Sequence, residues 1–508
     1  MVDRSHDILH ICKAGIEFER EHARESVYDW AVSGTRMMMV SGLKSGVAAA
    51  ALLGAGIALA QDAEPQDLLS DLSETATISE VPASAPAAPP TTMDEAFPDM
   101  VSTPMVQGEL TVDTIPLVQS WSVAHARGLI EVIEGITAEG LDPADYDLQA
   151  LKTSLVAGPS EELDQLASQN FIWLVEDLRD GRTPMDAREQ WFVVDPDRDF
   201  LRTGALLTTA LESGDIAGTL ADLAPTHPDY ARLKAALADT PAEDADRRKL
   251  IRANMDRWRW LARDLGSKYL LTNVPEYQLR LTVNNNIISS YRTVVGKPGR
   301  TATPQLAEMV EGVVFNPTWT VPQSIVKGEG LGQKVLDNPN WARSKGYKAT
   351  KGAGGWIGVV QQPGPTNSLG RMKLEMPNRH AIFFHDTPSR HLFANSMRAL
   401  SHGCIRTERA LELAITMAII GRAASKDEAV EIATSGKYTK VMMDSKIPAY
   451  ITYFTMASDI NGEMKTFKDV YGRDAPVLAS LDKPRVKNRS NVIDDEVIVI
   501  ENNPLAGD

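Results

Sequence analysis

Two stretches of this chain carry side chains suited to covalent catalysis: A-I-F-F-H-D-T-P-S from Ala381, and L-S-H-G-C-I-R ending at Arg406. The chain has 2 cysteines, and Cys12 lies upstream of an apolar run that reads as an export signal. Removing that signal leaves Cys404 as a lone thiol with no disulfide partner, a liability in an oxidising compartment unless the sulfur reacts. Cys404 is therefore the candidate nucleophile. Its base should be an imidazole, and His385, closing the apolar run 382–384, is the candidate. The carbonyl of Asp386 or another backbone acceptor would fix the tautomer. Gly403 lets the backbone approach a substrate closely, so amides at Gly403 and Cys404 could hold an oxyanion, with Ser401 and His402 shaping the pocket. A helix is predicted just beyond, with Thr407 as N-cap and Gly421 as its stop. That helix start and Arg406 would both favour thiolate, and Arg406 could also bind a substrate carboxylate.

F-F-H-D-T-P, followed 19 residues after its histidine by the cysteine of S-H-G-C-I-R, resembles the active-site signature of the YkuD-type L,D-transpeptidases of peptidoglycan. The runs P-G-P-T-N-S-L-G-R-M-K at 363–373 and R-A-L-S-H-G-C at 398–404 resemble the large multidomain Gram-negative branch. The resemblance implies that His385 is the base, that Cys404 is acylated, and that Asn367 and Arg371 join Arg406 in binding substrate, with no cofactor. It also implies peptidoglycan peptide stems as partners. The thiolate would attack the third-residue carbonyl of a tetrapeptide and release D-alanine. A second stem (a 3-3 cross-link) or an outer-membrane protein would then supply the accepting amine. Acylation by β-lactams such as carbapenems is a further implication.

Four of the 9 histidines, His380, His385, His391 and His402, fall within residues 380–402. Their spacing matches no compact zinc pattern, so no metal is expected, and His380 and His391 read as surface residues. Two alternatives stand beside transfer. One is a cell-wall cysteine L,D-carboxypeptidase or endopeptidase, although the NlpC/P60 type places its cysteine before its histidine, the reverse of the order here. The other is a non-catalytic peptidoglycan-binding scaffold, against which the complete Cys/His pair argues.

The elements that must position this pair follow from length, charge and periodicity. At 508 residues the chain exceeds one core and calls for two or three domains. Residues 61–250 hold 12 basic against 36 acidic side chains, net −24, whereas residues 251–480 hold 30 against 19, net +11. A basic half around the thiol suits anionic peptide stems; mutual neutralisation of the halves across an interface is the plainer reading. The acidic total of −16, without an aromatic–basic motif, argues against nucleic acid as a partner.

Residues 1–60 read as an N-terminal extension and signal peptide. The first 36 residues fit no secretory n-region, which places the initiator at Met37, Met38 or Met39, and the small residues Ala58 and Ala60 place cleavage after Ala60, for export to the periplasm. Residues 61–108, rich in Pro and Ala, form a linker. Residues 109–245 read as a helical scaffold domain, with helices over 118–136 and 161–180 and with His125 and His227 as structural residues. The next helix, over 246–265 and stopped by Gly266, follows too closely for the inserted peptidoglycan-binding module of many relatives. Period-two patterning then predicts a hairpin over 277–295 around N-N-N, and strands near 313–315, 382–384, 440–443 and 449–454. The fold class is therefore α+β: a helical scaffold, then a mainly β catalytic domain over 246–480. Its glycine-rich insertion at about 321–355 is too sparse in apolar residues for a core element and reads, by the resemblance, as a capping lid. Residues 481–508 are expected to form a flexible tail.

Overall fold

The computed structural model describes residues 117–193 and 197–487. The expected signal peptide, the 61–108 linker and the end of the tail lie outside the described residues. Helix α1 (Val123–Gly135) starts where the Ser122 hydroxyl accepts a hydrogen bond from the His125 amide, and α3 (Glu161–Arg179) where Ser160 does the same for Leu163. With α2 (Leu148–Ala157), α4 (Thr203–Ser213) and α5 (Ile216–Ala221) they enclose a first core, in which Leu129, Ile133, Phe171, Leu174 and Leu207 have no exposed surface. Gly181 ends α3 at φ 85°, and a Cβ there would stand 2.6 Å from the Trp260 ring, so only glycine fits.

Helices α6 (Pro228–Asp239) and α7 (Ala245–Trp258) are joined by residues 240–244 alone. The helix expected to run to Gly266 stops at Trp258. Trp258 and Trp260 are both buried, and two residues apart in a helix they would point to nearly opposite sides. The chain instead leaves α7 in successive tight turns, Arg259 N–H to Asp256 O, Trp260 N–H to Arg257 O and Leu261 N–H to Trp258 O. A second core joins these helices to the sheet, with Leu233, Ile251 and Trp258 against Tyr269, Leu271, Tyr450 and Phe454.

The C-terminal half is built from β1 (Lys268–Asn273), β2 (Gln278–Val283), β3 (Asn286–Gly296) and β4 (Leu306–Phe315), followed after an insertion by β8 (Met372–Glu375), β9 (Phe384–His385), β10 (Ala399–Ser401), β11 (Ile405–Thr407) and β12 (Thr439–Thr452). The strand order is β10-β3-β11-β9-β8-β4-β12-β1-β2, and β2 also pairs with β3, so the sheet curls back on itself. The β2–β3 hairpin turns on Asn284 and Asn285 at φ 48° and 62°, the left-handed pair that a tight hairpin requires. The two strands expected near 440–443 and 449–454 are one, β12, whose register shifts between Met442 and Ile447. Helices α11 (Ala410–Ile420) and α12 (Lys426–Thr434) pack Leu413, Met417 and Ala429 against Leu279, Val313, Phe384 and Ile451 in the largest core.

The insertion corrects another expectation. It folds as β5 (Trp319–Thr320), helices α8 (Gln323–Gly328), α9 (Leu331–Asp337) and α10 (Pro339–Ser344), β6 (Tyr347–Lys351) and β7 (Ile357–Gln361), the three strands forming their own sheet. Val321, Val326, Leu331, Val335, Ala342 and Val359 give it a small core, enough because short helices and a three-stranded sheet need bury only one face each. Helix α13 (Asp474–Leu481) ends the ordered core, and the chain beyond it is also held. Arg485, 7% exposed, pairs with Asp177 of α3 at 2.9 Å and lies over Trp173, so residues up to 487 brace the scaffold where a flexible tail was expected.

Candidate active site

His385 and Cys404 come together through strand register. Strand β9 pairs with β11 in parallel, Ile405 opposite Phe384 and Arg406 opposite His385, and with β8 in antiparallel, Lys373 opposite His385. Residues in register share a face, so Lys373, His385 and Arg406 form one row, and Cys404 sits in the bend that leads into β11, two residues before Arg406. The amide of Ile405 donates to the Phe383 carbonyl at 3.1 Å, which locks the cysteine against the 381–383 segment. The thiol donates to the carbonyl of Ala381 at 3.5 Å. Ala381 is itself strained, at φ 52°, and Asn378 holds it there: the Asn378 side chain donates to the Met376 and Ile382 carbonyls and accepts from the Ile382 amide.

The electrostatics keep both partners neutral. Burial pushes the His385 imidazole down to about 3, helped by Arg406 and Lys373 and opposed by its bond to Asp386. That bond, from Nδ1 to the Asp386 carbonyl at 2.5 Å, assigns the proton to Nδ1 and leaves Nε2 as the acceptor. Burial pushes the Cys404 thiol up to about 11, only partly offset by the Phe383 amide, Lys373 and Arg406. The predicted helix field is missing: Thr407 is no N-cap but the last residue of β11, paired with Thr293 of β3, and α11 begins only at Ala410. The I-R-T run is drawn into the ladder by strands on both sides, which displaces the helix start beyond the thiol.

The remaining expected site residues divide. Arg406 makes no ion pair among the described residues, and its buried Nε lacks a hydrogen-bond partner, so a guanidinium beside the thiol is left for an incoming anion. His402 faces the insertion, its Nε2 3.5 Å from Glu329. Ser401 works within the turn, its hydroxyl donating to the Cys404 carbonyl at 2.6 Å and accepting from the Gly403 amide at 3.1 Å. That bond removes the Gly403 amide from the expected oxyanion donors; the Cys404 amide has no partner among the described residues. Asp386 is buried and braces the strand end, accepting from the Thr387 and Arg371 amides and pairing with Arg390.

Asn367 and Arg371 both make hydrogen bonds within the fold. Asn367 is fully buried, donating to the carbonyls of Pro317, Gln361 and Gln362 and accepting from Leu369, so all its capacity goes to closing a loop. Arg371 turns to the Ala433 carbonyl at the end of α12. His380, read as a surface residue, is buried with its ring 4.1 Å from Phe192, whereas His391 is exposed. Residue types alone did not single out Lys373, Asn378 or Ala381; only Lys373 had a signal, as the last residue of the run at 363–373. No group of three or more potential metal ligands occurs among the described residues.

Residues 267–432 match the family model of the YkuD L,D-transpeptidase catalytic domain, and residues 120–237 match that of the Scaffold domain. A Haemophilus influenzae protein bearing the name "Putative L,D-transpeptidase" is 30% identical over 235 residues, 43% of this chain and 47% of that protein, so the match spans about half of the relative. Two solved structures overlap more weakly, each at 12% identity and over 37% of this chain. They are the Ldtfm–avibactam carbamoyl enzyme (49% of that chain, TM-score 0.18) and an L,D-transpeptidase from Mycobacterium smegmatis (58%, TM-score 0.19). Residues 267–432 therefore carry a YkuD L,D-transpeptidase catalytic domain, preceded over residues 120–237 by a Scaffold domain.

Proposed function

We propose that this protein transfers an acyl group through a thioester on Cys404. The observation that carries the reading is a lone thiol one residue before β11, the strand that pairs in register with the strand of His385, with the imidazole proton committed to the Asp386 carbonyl. The neutral resting pair supports general-base activation rather than a standing ion pair. Nε2 of His385 takes the thiol proton as the sulfur attacks the third-residue carbonyl of a tetrapeptide stem. The oxyanion lies at the Cys404 amide; on collapse the C–N bond breaks, and the terminal D-alanine amine leaves with the proton from the imidazolium. An acceptor amine then gives up a proton to Nε2, attacks the thioester and frees the sulfur. Arg406 binds a stem carboxylate, and the folded insertion covers the bound peptide.

The acceptor is a second stem, giving a 3-3 cross-link, or the amine of an outer-membrane protein; water would make the same site a carboxypeptidase. Carbapenems would acylate the same sulfur. The reaction takes place in the periplasm after cleavage at Ala60, which N-terminal sequencing of the exported protein checks. Incubating the purified protein with tetrapeptide muropeptides and weighing the products tests the whole reading. Dimers carrying a tripeptide donor support transfer, and tripeptide monomers alone point to hydrolysis. Either activity surviving in Cys404→Ala would overturn the assignment.

A further inference from the structure

Thr303 lies between β3 and β4, outside every motif described above, and has no exposed surface. Each of its polar atoms is engaged. Its hydroxyl accepts from the Gly296 amide at 2.9 Å and donates to the Gly403 carbonyl at 2.7 Å. Its own amide donates to the Tyr471 hydroxyl at 3.2 Å, and its carbonyl accepts from the Arg473 guanidinium at 3.2 Å. Arg473 also reaches the side chain of Gln190, on the segment arriving from the scaffold. That segment pairs with the residues just after Thr303, the Gln305 amide donating to the Gln190 carbonyl and the Phe192 amide to the Gln305 carbonyl, each at 3.0 Å. Strand β3, the C-terminal segment and the scaffold arm thus all hold one threonine.

The Gly403 carbonyl matters because of what shares its peptide plane. In a trans peptide the C=O and the following N–H point in opposite directions, so fixing the Gly403 oxygen fixes where the Cys404 N–H points. That N–H has no partner among the described residues, whereas the Gly403 amide is occupied by Ser401. Gly403, at φ 119°, has no side chain to restrain the plane, so the restraint must come from outside. We propose that Thr303 is a positioning residue whose hydroxyl, by holding the Gly403 carbonyl, aims the Cys404 amide at the oxyanion formed during acyl transfer. The proposal rests on Cys404 being the acylated residue, but not on the identity of the acyl donor.

Two probes separate aim from mere integrity. p-Nitrophenyl acetate acylates a thiol through a tetrahedral oxyanion; iodoacetamide alkylates it by displacement at a carbon that bears none. Both are followed by intact-protein mass on the full chain, with Cys404→Ala as the blank. Thr303→Val, which removes the hydroxyl at nearly constant shape, is expected to lose roughly ten- to a hundredfold in acylation rate. Its alkylation should stay within about threefold of the wild type, because the thiol itself is little altered. Thr303→Ser should restore acylation. If the valine variant does not fold, Thr303→Ala is read in the same way. Equal losses with both probes, or no loss in acylation, would overturn the proposal, as would a wild type alkylated at Cys404 but not acylated. Muropeptides play no part in these ratios, so failure of the peptidoglycan reading would leave them unchanged.

Discussion

Asp256 at the end of α7 is fully enclosed and Cys404 beside β11 is partly so, and burial is the largest influence on each. Around Asp256 that influence is overcome. Its carboxylate accepts from the Arg182 and Thr183 amides and the Trp260 indole, and lies 3.6 Å from the Arg259 guanidinium, so its pKa falls below the usual carboxylate value. Around Cys404 it is not overcome, and thiol and imidazole both stay neutral. Where donors saturate a buried group its charge belongs to the folded state; where donors are withheld, charge appears only as the reaction proceeds. The first region should therefore register in stability, the second in chemistry.

The largest expected effect tests the first half of that contrast. Asp256→Ala takes the acceptor from two buried amides and the Trp260 indole and a carboxylate partner from Arg259, and should cost about 3–5 kcal/mol in urea unfolding. Cys404→Ser should cost about 1 kcal/mol or less, since it exchanges one small neutral group for another. A reversed order would break the comparison.

Next in size is a pH effect at His227, which stacks on Trp258 at 4.2 Å and is pushed down to about 4 by burial. Because its folded pKa lies below the ordinary 6.5, the unfolded chain binds more protons between those values, and stability falls as pH drops through that window. Glu308, pushed up to about 7 by burial, acts in the opposite sense over much of the range, so total stability is a poor readout. The difference between wild type and His227→Gln isolates the histidine. From pH 6.5 to pH 5 the wild type should lose about 1.5 kcal/mol relative to the variant. A constant difference would show that His227 does not remain neutral.

A third prediction turns to the thiol. With Cys404 held up to about 11, its alkylation by iodoacetamide should climb about tenfold per pH unit from pH 7 to 10. A plateau near neutrality would reveal a preformed thiolate–imidazolium pair and erase the distinction between the two regions.

The sequence exposed whatever was local. The N-N-N turn and the apolar stripe of the helix expected over 161–180 declare themselves within a few residues. What it concealed depends on partners far along the chain. I-R-T is too short for its periodicity to tell strand from helix cap, and becomes β11 only because β3 and β9 flank it. Thr303 is invisible because it bonds residues 100 and 170 positions away. Asn367 lies in the run at 363–373, and its hydrogen bonds to Pro317, Gln361 and Gln362, up to 50 positions away, are not legible from that run.

The smallest expected effect lies between the two regions, at Glu329 and His402, where the insertion meets the catalytic motif 3.5 Å apart. Both side chains are partly exposed, which limits the pair to about 1 kcal/mol or less. Burial lowers the His402 pKa below 6.5, with Glu329 raising it in part, so at pH 7 the imidazole is neutral and the attraction is weaker still. Glu329→Gln should therefore leave the urea midpoint nearly unchanged at pH 7, and Cys404 alkylation within about twofold of the wild type. On acidification to pH 5 the imidazole of the wild type gains charge and the contact strengthens, so the alkylation rate of the variant should pull ahead. Added salt should close that gap, because an exposed pair is screened where Asp256 and Arg259 are not. A gap insensitive to salt would mean that the insertion is held over the thiol by its apolar contacts, with the glutamate incidental.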